Sequence, residues 1–273
     1  MKARFVGNGV KTRVLHEGTG AALIMLHPIG HSADLFVRNI DALARDAFVA
    51  AVDLPGHGFS DRIAFGAPPQ LATARHVLAV ADALGLQQFS VLGSSYGALV
   101  AALMWFAAPE RIDRVILVGS GSVFHPPAEQ AGVLRQVQAN GTSAMADPSL
   151  NSCRQRLANI CYAPESVPEE ILPVQLTSYA LADRLAAYEE TLAGVIASAA
   201  APEAWVYERL EALSAPALVI TGREDIRARW KMHEEGCRRL PRAELEIFEQ
   251  CGHVPFLEHP ERFNTRVRTF LDL

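Results

Sequence analysis

The sequence of 273 residues predicts an α/β fold, a mostly parallel twisted sheet with helices on both faces. Continuous apolar runs, typical of strands buried on both faces, occur at 21–27, 48–53, 89–93 and 115–119. Segments with helical spacing of apolar residues separate these runs, so strands and helices alternate between residues 22 and 119. Such an alternation makes neighbouring strands parallel, and their carboxyl ends then meet at one edge of the sheet.

The strand pattern stops after the fourth run. Residues 122–204 form helical patches broken by prolines, and we predict a helical cap, or lid, there. The sheet core is predicted to comprise residues 1–121 and 205–273. Ordinary packing helices are the alternative, but the insertion directly follows the carboxyl end of a strand, which favours a lid that lines the substrate pocket.

Further elements are predicted at both ends of the chain. Residues 5–14 read as a hairpin with a Gly-Asn-Gly turn at 7–9. Apolar residues between 35 and 47 recur at helical spacing and predict a helix. After the insertion, strands are predicted at 216–222 and, nearer the sheet's edge, at 245–248.

Composition excludes several classes of protein. The formal net charge of −5 gives no reason to expect nucleic acid or an anionic membrane as partner. The longest apolar stretch, 98–108, is too short to span a bilayer, and the start of the chain lacks the apolar core of a signal peptide. The four cysteines form no Cys-x-x-Cys pair, so we expect reduced thiols rather than a metal site. These features predict a cytoplasmic protein and leave a homo-oligomer open.

The segment Gly93-Ser94-Ser95-Tyr96-Gly97 is the strongest functional motif. Apolar runs on both sides predict a strand, a very tight turn and a buried helix. Glycines two residues before and after Ser95 allow the close backbone approach that such a turn needs. We therefore predict that Ser95 exposes its hydroxyl at the positive end of a helix, as a nucleophile requires. Ser94 is a rival by composition only, and a plain Gly/Ser loop is the alternative without function.

A serine hydroxyl needs a base to take its proton and a third group to hold that base. His253 follows a late strand and a glycine, and is the predicted base. Asp225 lies just past the preceding strand and is the predicted orienting acid, which gives the chain order Ser95, Asp225, His253. Glu224 is its neighbour without a predicted role. Asp53 also ends a strand but precedes the serine, and we expect it to cap a Pro-Gly loop.

Attack on an ester or amide builds an oxyanion, which needs preorganised donors. The backbone N–H of Tyr96, just past the nucleophile, is one predicted donor. The N–H of Ile29, in the loop after the first buried strand, is the other.

These motifs together resemble the α/β-hydrolase superfamily, in its serine esterase-like branch with a helical cap. The resemblance covers almost the whole chain and includes Leu-His-Pro-Ile-Gly at 26–30, Asp-Leu-Pro-Gly-His-Gly-Phe-Ser at 53–60, Gly-Ser-Ser-Tyr-Gly at 93–97, Thr-Gly-Arg-Glu-Asp at 221–225, Gly-His-Val-Pro at 252–255 and Glu-His-Pro-Glu-Arg-Phe at 258–263. It implies a Ser-Asp-His triad and, in most members, an acyl-enzyme. Ser95 excludes the branches with an aspartate nucleophile. In one departure, the loop that usually begins His-Gly begins His27-Pro28, and proline has no N–H to donate.

The predicted function is hydrolysis of a small, largely apolar carboxylic ester or lactone through an acyl-enzyme. No metal or organic cofactor is implied, and the expected partner is a small-molecule substrate. The alternative is hydrolysis of a carbon–carbon bond in a ring-cleavage product, a vinylogous diketone, which resembling enzymes perform with the same triad. A non-catalytic ligand-binding relative is a further alternative, against which an intact triad argues.

Overall fold

A computed structural model describes residues 1–7 and 9–273 and places eight strands in one sheet. The strands are β1 (Lys2–Val6), β2 (Thr12–Glu17), β3 (Ala21–Leu26), β4 (Ala47–Val52), β5 (Phe89–Ser94), β6 (Ile112–Val118), β7 (Ala217–Gly222) and β8 (Ala243–Phe248). The six strands predicted from apolar runs are confirmed. The N-terminal hairpin is also confirmed, because β1 pairs with β2 antiparallel. Asn8 of its predicted turn lies outside the described residues.

The sheet order is β1-β2-β4-β3-β5-β6-β7-β8. The pairs β1–β2 and β2–β4 are antiparallel, and every other pair is parallel. From β3 the chain first adds β4 on one side and then crosses to add β5 on the other. This reversal is a topological switch point, where the loops after β3 and β5 diverge and leave a crevice for a ligand.

The helices pack around this sheet. They are α1 (Ile40–Leu43), α2 (Pro69–Ala83), α3 (Tyr96–Ala107), α4 (Gly121–Phe124), α5 (Ala131–Ala146), α6 (Leu150–Ala158), α7 (Leu172–Tyr179), α8 (Arg184–Ala197), α9 (Trp230–Arg239), α10 (Pro255–Glu258) and α11 (Pro260–Leu271). Helix α3 contacts β3, β5 and β6, and α9 contacts β7 and β8. In the described part of the chain, no helix combines the length and the apolar character that crossing a bilayer requires.

The core centres on β5 and α3. Every residue of β5 is buried, and so are the first ten residues of α3, from Tyr96 to Trp105. A helix that is apolar all round must be enclosed on all sides. The junction between these two elements, which carries Ser95, is therefore enclosed by buried residues on both sides.

The predicted helix between residues 35 and 47 is largely wrong. The structure has a 3₁₀ turn at Ala33–Phe36 and the single turn α1, and Ala47 already begins β4. Tertiary hydrogen bonds hold this segment instead of a continuous helical ladder. The Asn39 amide donates to the Phe256 carbonyl at 3.1 Å and to the Asn264 side chain at 2.9 Å.

Residues 122–204 contain helices α5 to α8 and, in the described part of the chain, no strand. Hydrogen bonds tie this segment to the loops of the core. The Ser178 hydroxyl donates to the Gly58 carbonyl at 3.1 Å, and Arg184 donates to the Ser60 carbonyl at 2.8 Å. The His253 backbone N–H donates to the Ile160 carbonyl at 2.8 Å. The division of residues 122–204 from the core as a lid stays a prediction.

Candidate active site

The turn between β5 and α3 is a strained elbow with Ser95 at its tip. Ser95 has φ 55° and ψ −115°, in a region that residues other than glycine rarely adopt. A Cβ on Gly93 would lie 2.1 Å from the Gly97 carbonyl oxygen, and one on Gly97 would lie 2.3 Å from the Leu26 carbonyl oxygen. Both glycines are therefore required by close backbone contact, as the sequence predicts.

Burial separates the two adjacent serines. Ser94 is the last residue of β5, is fully buried, and its hydroxyl has no hydrogen-bond partner in the described structure. Ser95 is partly exposed and lines a cavity together with His253. Only the Ser95 hydroxyl can therefore meet a substrate.

His253 and Asp225 form a buried pair. The His253 Nδ1–H donates to Asp225 Oδ2 at 2.7 Å, which leaves Nε2 to accept a proton. Asp225 Oδ1 accepts the backbone N–H groups of Arg227 at 2.8 Å and Ala228 at 3.0 Å. Burial opposes ionisation of this carboxyl, but the His253 ring and the two N–H donors outweigh it, so the pKa of Asp225 lies below its usual value.

The structure thus brings the three predicted triad residues to one edge of the sheet. The Ser95 hydroxyl makes no hydrogen bond to the His253 ring within residues 1–7 and 9–273, although both line the same cavity. Hydrogen bonds of this kind commonly shorten only when a substrate binds. The assignment of the triad as catalytic is therefore argued under the proposed function.

The cavity that Ser95 and His253 line holds about 410 Å³ of empty space, part of which is open to solvent. Its walls mix apolar and polar side chains. They come from the elbow, from the loops after β6, β7 and β8, and from α5, and include Ser95, Ser122, His125, Gln130, Val133, Leu134, Val137, Arg227 and His253. In the part of the chain that is described, no group of three or more His, Cys, Asp or Glu side chains is arranged to hold a metal ion.

The loop after β3 holds the other predicted oxyanion donor. The Ile29 N–H has no acceptor among the described residues. Tyr96 is the first residue of α3, and the first N–H groups of a helix have no intrahelical partner. Buried His27 braces the loop that contains Pro28. His27 Nε2 accepts the Leu54 N–H at 2.9 Å, and Nδ1–H donates to the Pro28 carbonyl at 2.8 Å.

The helical segment 122–204 also fixes this loop. The Tyr179 hydroxyl donates to the Gly30 carbonyl at 2.9 Å. Gly30 has φ 72°, and a Cβ there would lie 2.2 Å from the Arg156 guanidinium and 2.6 Å from the Tyr188 ring. Only glycine fits between the loop and these side chains. The shape of the predicted oxyanion loop thus depends on contacts from three residues distant in sequence.

Ser120 supports the elbow and was not identified from the sequence. Its hydroxyl donates to the Ser95 carbonyl at 2.9 Å, and its backbone N–H donates to His233 Nε2 at 2.9 Å. Its position directly after β6 and Gly119 could have identified it from the sequence, because polar residues at the carboxyl ends of parallel strands face the ligand crevice. Arg227 was also missed, although it lies two residues after the predicted acid.

Three buried histidines near the site should make stability depend on pH. Burial lowers the pKa of His27 and His233 to about 4 and that of His57 to about 3, against an ordinary value of 6.5. Below pH 6.5 the unfolded chain therefore binds more protons than the folded protein. Stability should be fully present above pH 6.5 and be lost as pH falls through the folded pKa values.

We expect His57→Gln to weaken the dependence of the free energy of unfolding on pH. Each such histidine contributes about 1.4 kcal/mol per pH unit between its two pKa values. Urea unfolding from pH 4.5 to 6.5 should give a slope of unfolding free energy against pH that is smaller by about that amount in the variant. His259→Gln is the control for the substitution itself, at a half-buried position whose ring bonds the Gln250 carbonyl at 3.0 Å at the protein surface. Equal slopes for His57→Gln and wild type would contradict the prediction.

The sheet, the strained serine elbow and the buried histidine–aspartate pair define a hydrolase of the α/β class. The chain belongs to the alpha/beta hydrolase fold family, whose family model matches residues 21–260. This confirms the fold and the family that the motifs predict.

Curated relatives are similar over nearly their full length. A 2-hydroxy-6-oxononadienedioate/2-hydroxy-6-oxononatrienedioate hydrolase of Paraburkholderia phymatum is 33% identical over 96% of this chain and 92% of its own. A 2-hydroxy-6-oxo-6-phenylhexa-2,4-dienoate hydrolase of Burkholderia cepacia is 31% identical over 93% of this chain and 88% of its own. A meta-cleavage product hydrolase from Pseudomonas fluorescens has a TM-score of 0.81 at 24% identity, covering 100% of this chain and 97% of its own, and shows the shared fold.

Proposed function

We propose that this protein is a serine hydrolase that cleaves a carbon–carbon bond in a 2-hydroxy-6-oxodienoate, the product of oxidative ring cleavage. The observation that carries the proposal is the full-length similarity, at 33% identity, to a hydrolase of this substrate class. It favours the alternative drawn from the sequence over the ester or lactone. The cavity wall is mostly apolar but includes Arg227, whose charge would suit an anionic group of such a substrate.

In the proposed mechanism Ser95 is the nucleophile and His253 is the general base. Asp225 accepts the Nδ1–H of His253 at 2.7 Å, which fixes the tautomer with a free Nε2 and stabilises the imidazolium that forms. The strained backbone of Ser95 holds its hydroxyl at the N-terminus of α3. The N–H groups of Ile29 and Tyr96 would then stabilise the oxyanion.

The bond changes balance without any redox step. In the keto tautomer of the substrate, Ser95 Oγ adds to the C6 ketone, and His253 takes the serine proton. Collapse of the tetrahedral oxyanion breaks the C5–C6 bond, and the bonding electron pair enters the conjugated 2-keto system. The His253 imidazolium returns the proton to the carbon fragment. Water then hydrolyses the acyl group from Ser95, so one water is added across one carbon–carbon bond.

A direct comparison of substrates tests this proposal. Wild-type protein should consume a 2-hydroxy-6-oxodienoate, followed by loss of its dienolate absorbance, with a higher kcat/KM than for p-nitrophenyl acetate. Graded esters, lactones and thioesters complete the panel. Efficient turnover of an ester or lactone with no cleavage of the dienoate would contradict carbon–carbon hydrolysis and favour an ester or lactone hydrolase.

A further inference from the structure

Arg227 presents a guanidinium to the cavity without a side-chain partner. It lies in the loop after β7 and lines the cavity with Ser95 and His253. Only its backbone N–H bonds to Asp225, and throughout residues 1–7 and 9–273 its side chain has no hydrogen bond and no carboxylate oxygen within 4.0 Å. Arg223, in the same loop, pairs with Glu249 at 2.7 Å. Arg227 thus differs from its loop neighbour Arg223, because its guanidinium has no carboxylate partner in the described structure.

Burying a guanidinium without an anionic partner is energetically unfavourable, and a bound anion would offset that cost. Arg227 is partly buried, and burial, followed by the charge of Arg156, lowers the pKa of Arg227. Arg156 is 3% exposed and also lacks a carboxylate within 4.0 Å in the described structure; it donates to the Tyr179 hydroxyl at 2.5 Å. Asp225 offsets part of this charge, but its oxygens already accept from His253 and two backbone N–H groups. Two guanidinium groups thus give the interior a positive potential.

Neighbouring polar groups lie on the same wall. Gln130 and His125 line the cavity with Arg227, and His125 Nδ1 is buried without a hydrogen bond among the described residues, with Glu129 Oε2 3.6 Å away. An arginine with adjacent polar groups suits a carboxylate, which the planar guanidinium can hold through two parallel hydrogen bonds.

We propose that Arg227 binds a second carboxylate of the substrate, on the arm beyond the scissile ketone, and so selects dicarboxylate ring-cleavage products. This inference rests on the proposed function. Every 2-hydroxy-6-oxodienoate carries a carboxylate on the dienoate arm. In the nonadienedioate the second carboxylate is only three carbons from the ketone, and Arg227 shares its cavity with Ser95, which attacks that ketone. The shorter arm therefore fits this guanidinium better than the five-carbon dienoate arm.

The test is a ratio of specificity constants. We compare kcat/KM for 2-hydroxy-6-oxononadienedioate with that for 2-hydroxy-6-oxo-6-phenylhexa-2,4-dienoate, which has a phenyl group on the same arm. Wild type should favour the dicarboxylate. Arg227→Met should lower the ratio by about 10- to 100-fold, mainly through KM, because a charged hydrogen bond to substrate is lost. Arg227→Lys should recover part of it. Using the ratio cancels any loss that both substrates share.

Arg229→Met is the matched control, since it removes the same charge from the same loop at an exposed position. It should leave the ratio at the wild-type value. A wild-type preference for the phenyl substrate, or a ratio unchanged in Arg227→Met, would overturn the role of Arg227 while carbon–carbon hydrolysis stands. Equal losses for both substrates would assign Arg227 to the dienoate arm and also overturn it. If wild type cleaves neither substrate, the proposed function itself fails, and this inference falls with it.

Discussion

Ser95→Ala should lower kcat by about 10⁴- to 10⁶-fold, whichever carbonyl substrate is used. Alanine keeps the backbone of the elbow but removes the oxygen that forms the covalent bond. The residual rate would come from the oxyanion donors and from binding. Steady-state kinetics on the best substrate measure the loss, and a fluorophosphonate probe should label wild type but not the variant.

Ser94→Ala is the control for this prediction. Ser94 precedes the nucleophile directly, is fully buried, and its hydroxyl has no partner in the described part of the structure. The variant should keep the probe labelling and a rate within a few-fold of wild type. Labelling of neither wild type nor Ser95→Ala would favour a non-catalytic ligand binder over an enzyme. Equal labelling of wild type and Ser95→Ala would assign the reactive group elsewhere.

Asp225→Asn should lower kcat by about 10⁴-fold with little change in fold. An asparagine is nearly the same size, and its carbonyl oxygen can still accept the Arg227 and Ala228 N–H groups at the place of Oδ1. Its amide nitrogen then faces His253 Nδ1 and donates to it. The ring would take the tautomer with the proton on Nε2, which cannot accept the proton of Ser95.

Glu224→Gln tests whether the effect belongs to Asp225. Glu224 is the adjacent carboxylate, and its side chain accepts the Cys251 N–H at 2.9 Å, which a glutamine oxygen can replace. Its kcat should stay within a few-fold of wild type. Unfolding in urea should give similar midpoints for both variants and wild type. A loss in Glu224→Gln as large as that in Asp225→Asn would contradict the assignment of the acid.

The positions of the candidate site residues follow from local rules. Parallel strands bring their carboxyl ends to one edge, so Ser95, Asp225 and His253 could be chosen by asking which polar residues follow buried strands. The close contacts of Gly93 and Gly97 are equally local, because any strand-to-helix turn this tight excludes a Cβ. For these residues, the position in the sequence relative to the buried strands is enough to predict their place in the fold.

Other features depend on partners far away in sequence. The expected helix before β4 yields to the hydrogen bonds of Asn39 with the C-terminal region, which no local periodicity records. The support of the elbow by Ser120 and His233 joins residues 113 positions apart. The choice between an ester and a carbon–carbon bond rests on similarity to relatives over the full length, and the place of Arg227 in the cavity wall follows only from the packed structure.

By itself, the sequence determined the α/β architecture, the family and the three residues proposed for the chemistry, since buried apolar runs and tight-turn glycines act over a few neighbouring residues. Tertiary structure supports the choice of Ser95 over Ser94, because Ser94 is fully buried. It also decided how Gly30 fits beneath Arg156 and Tyr188, and that Arg227 has no side-chain partner in the described residues. Burial and unpaired charge are properties of the whole packed chain, because they depend on which distant atoms come to lie around each group.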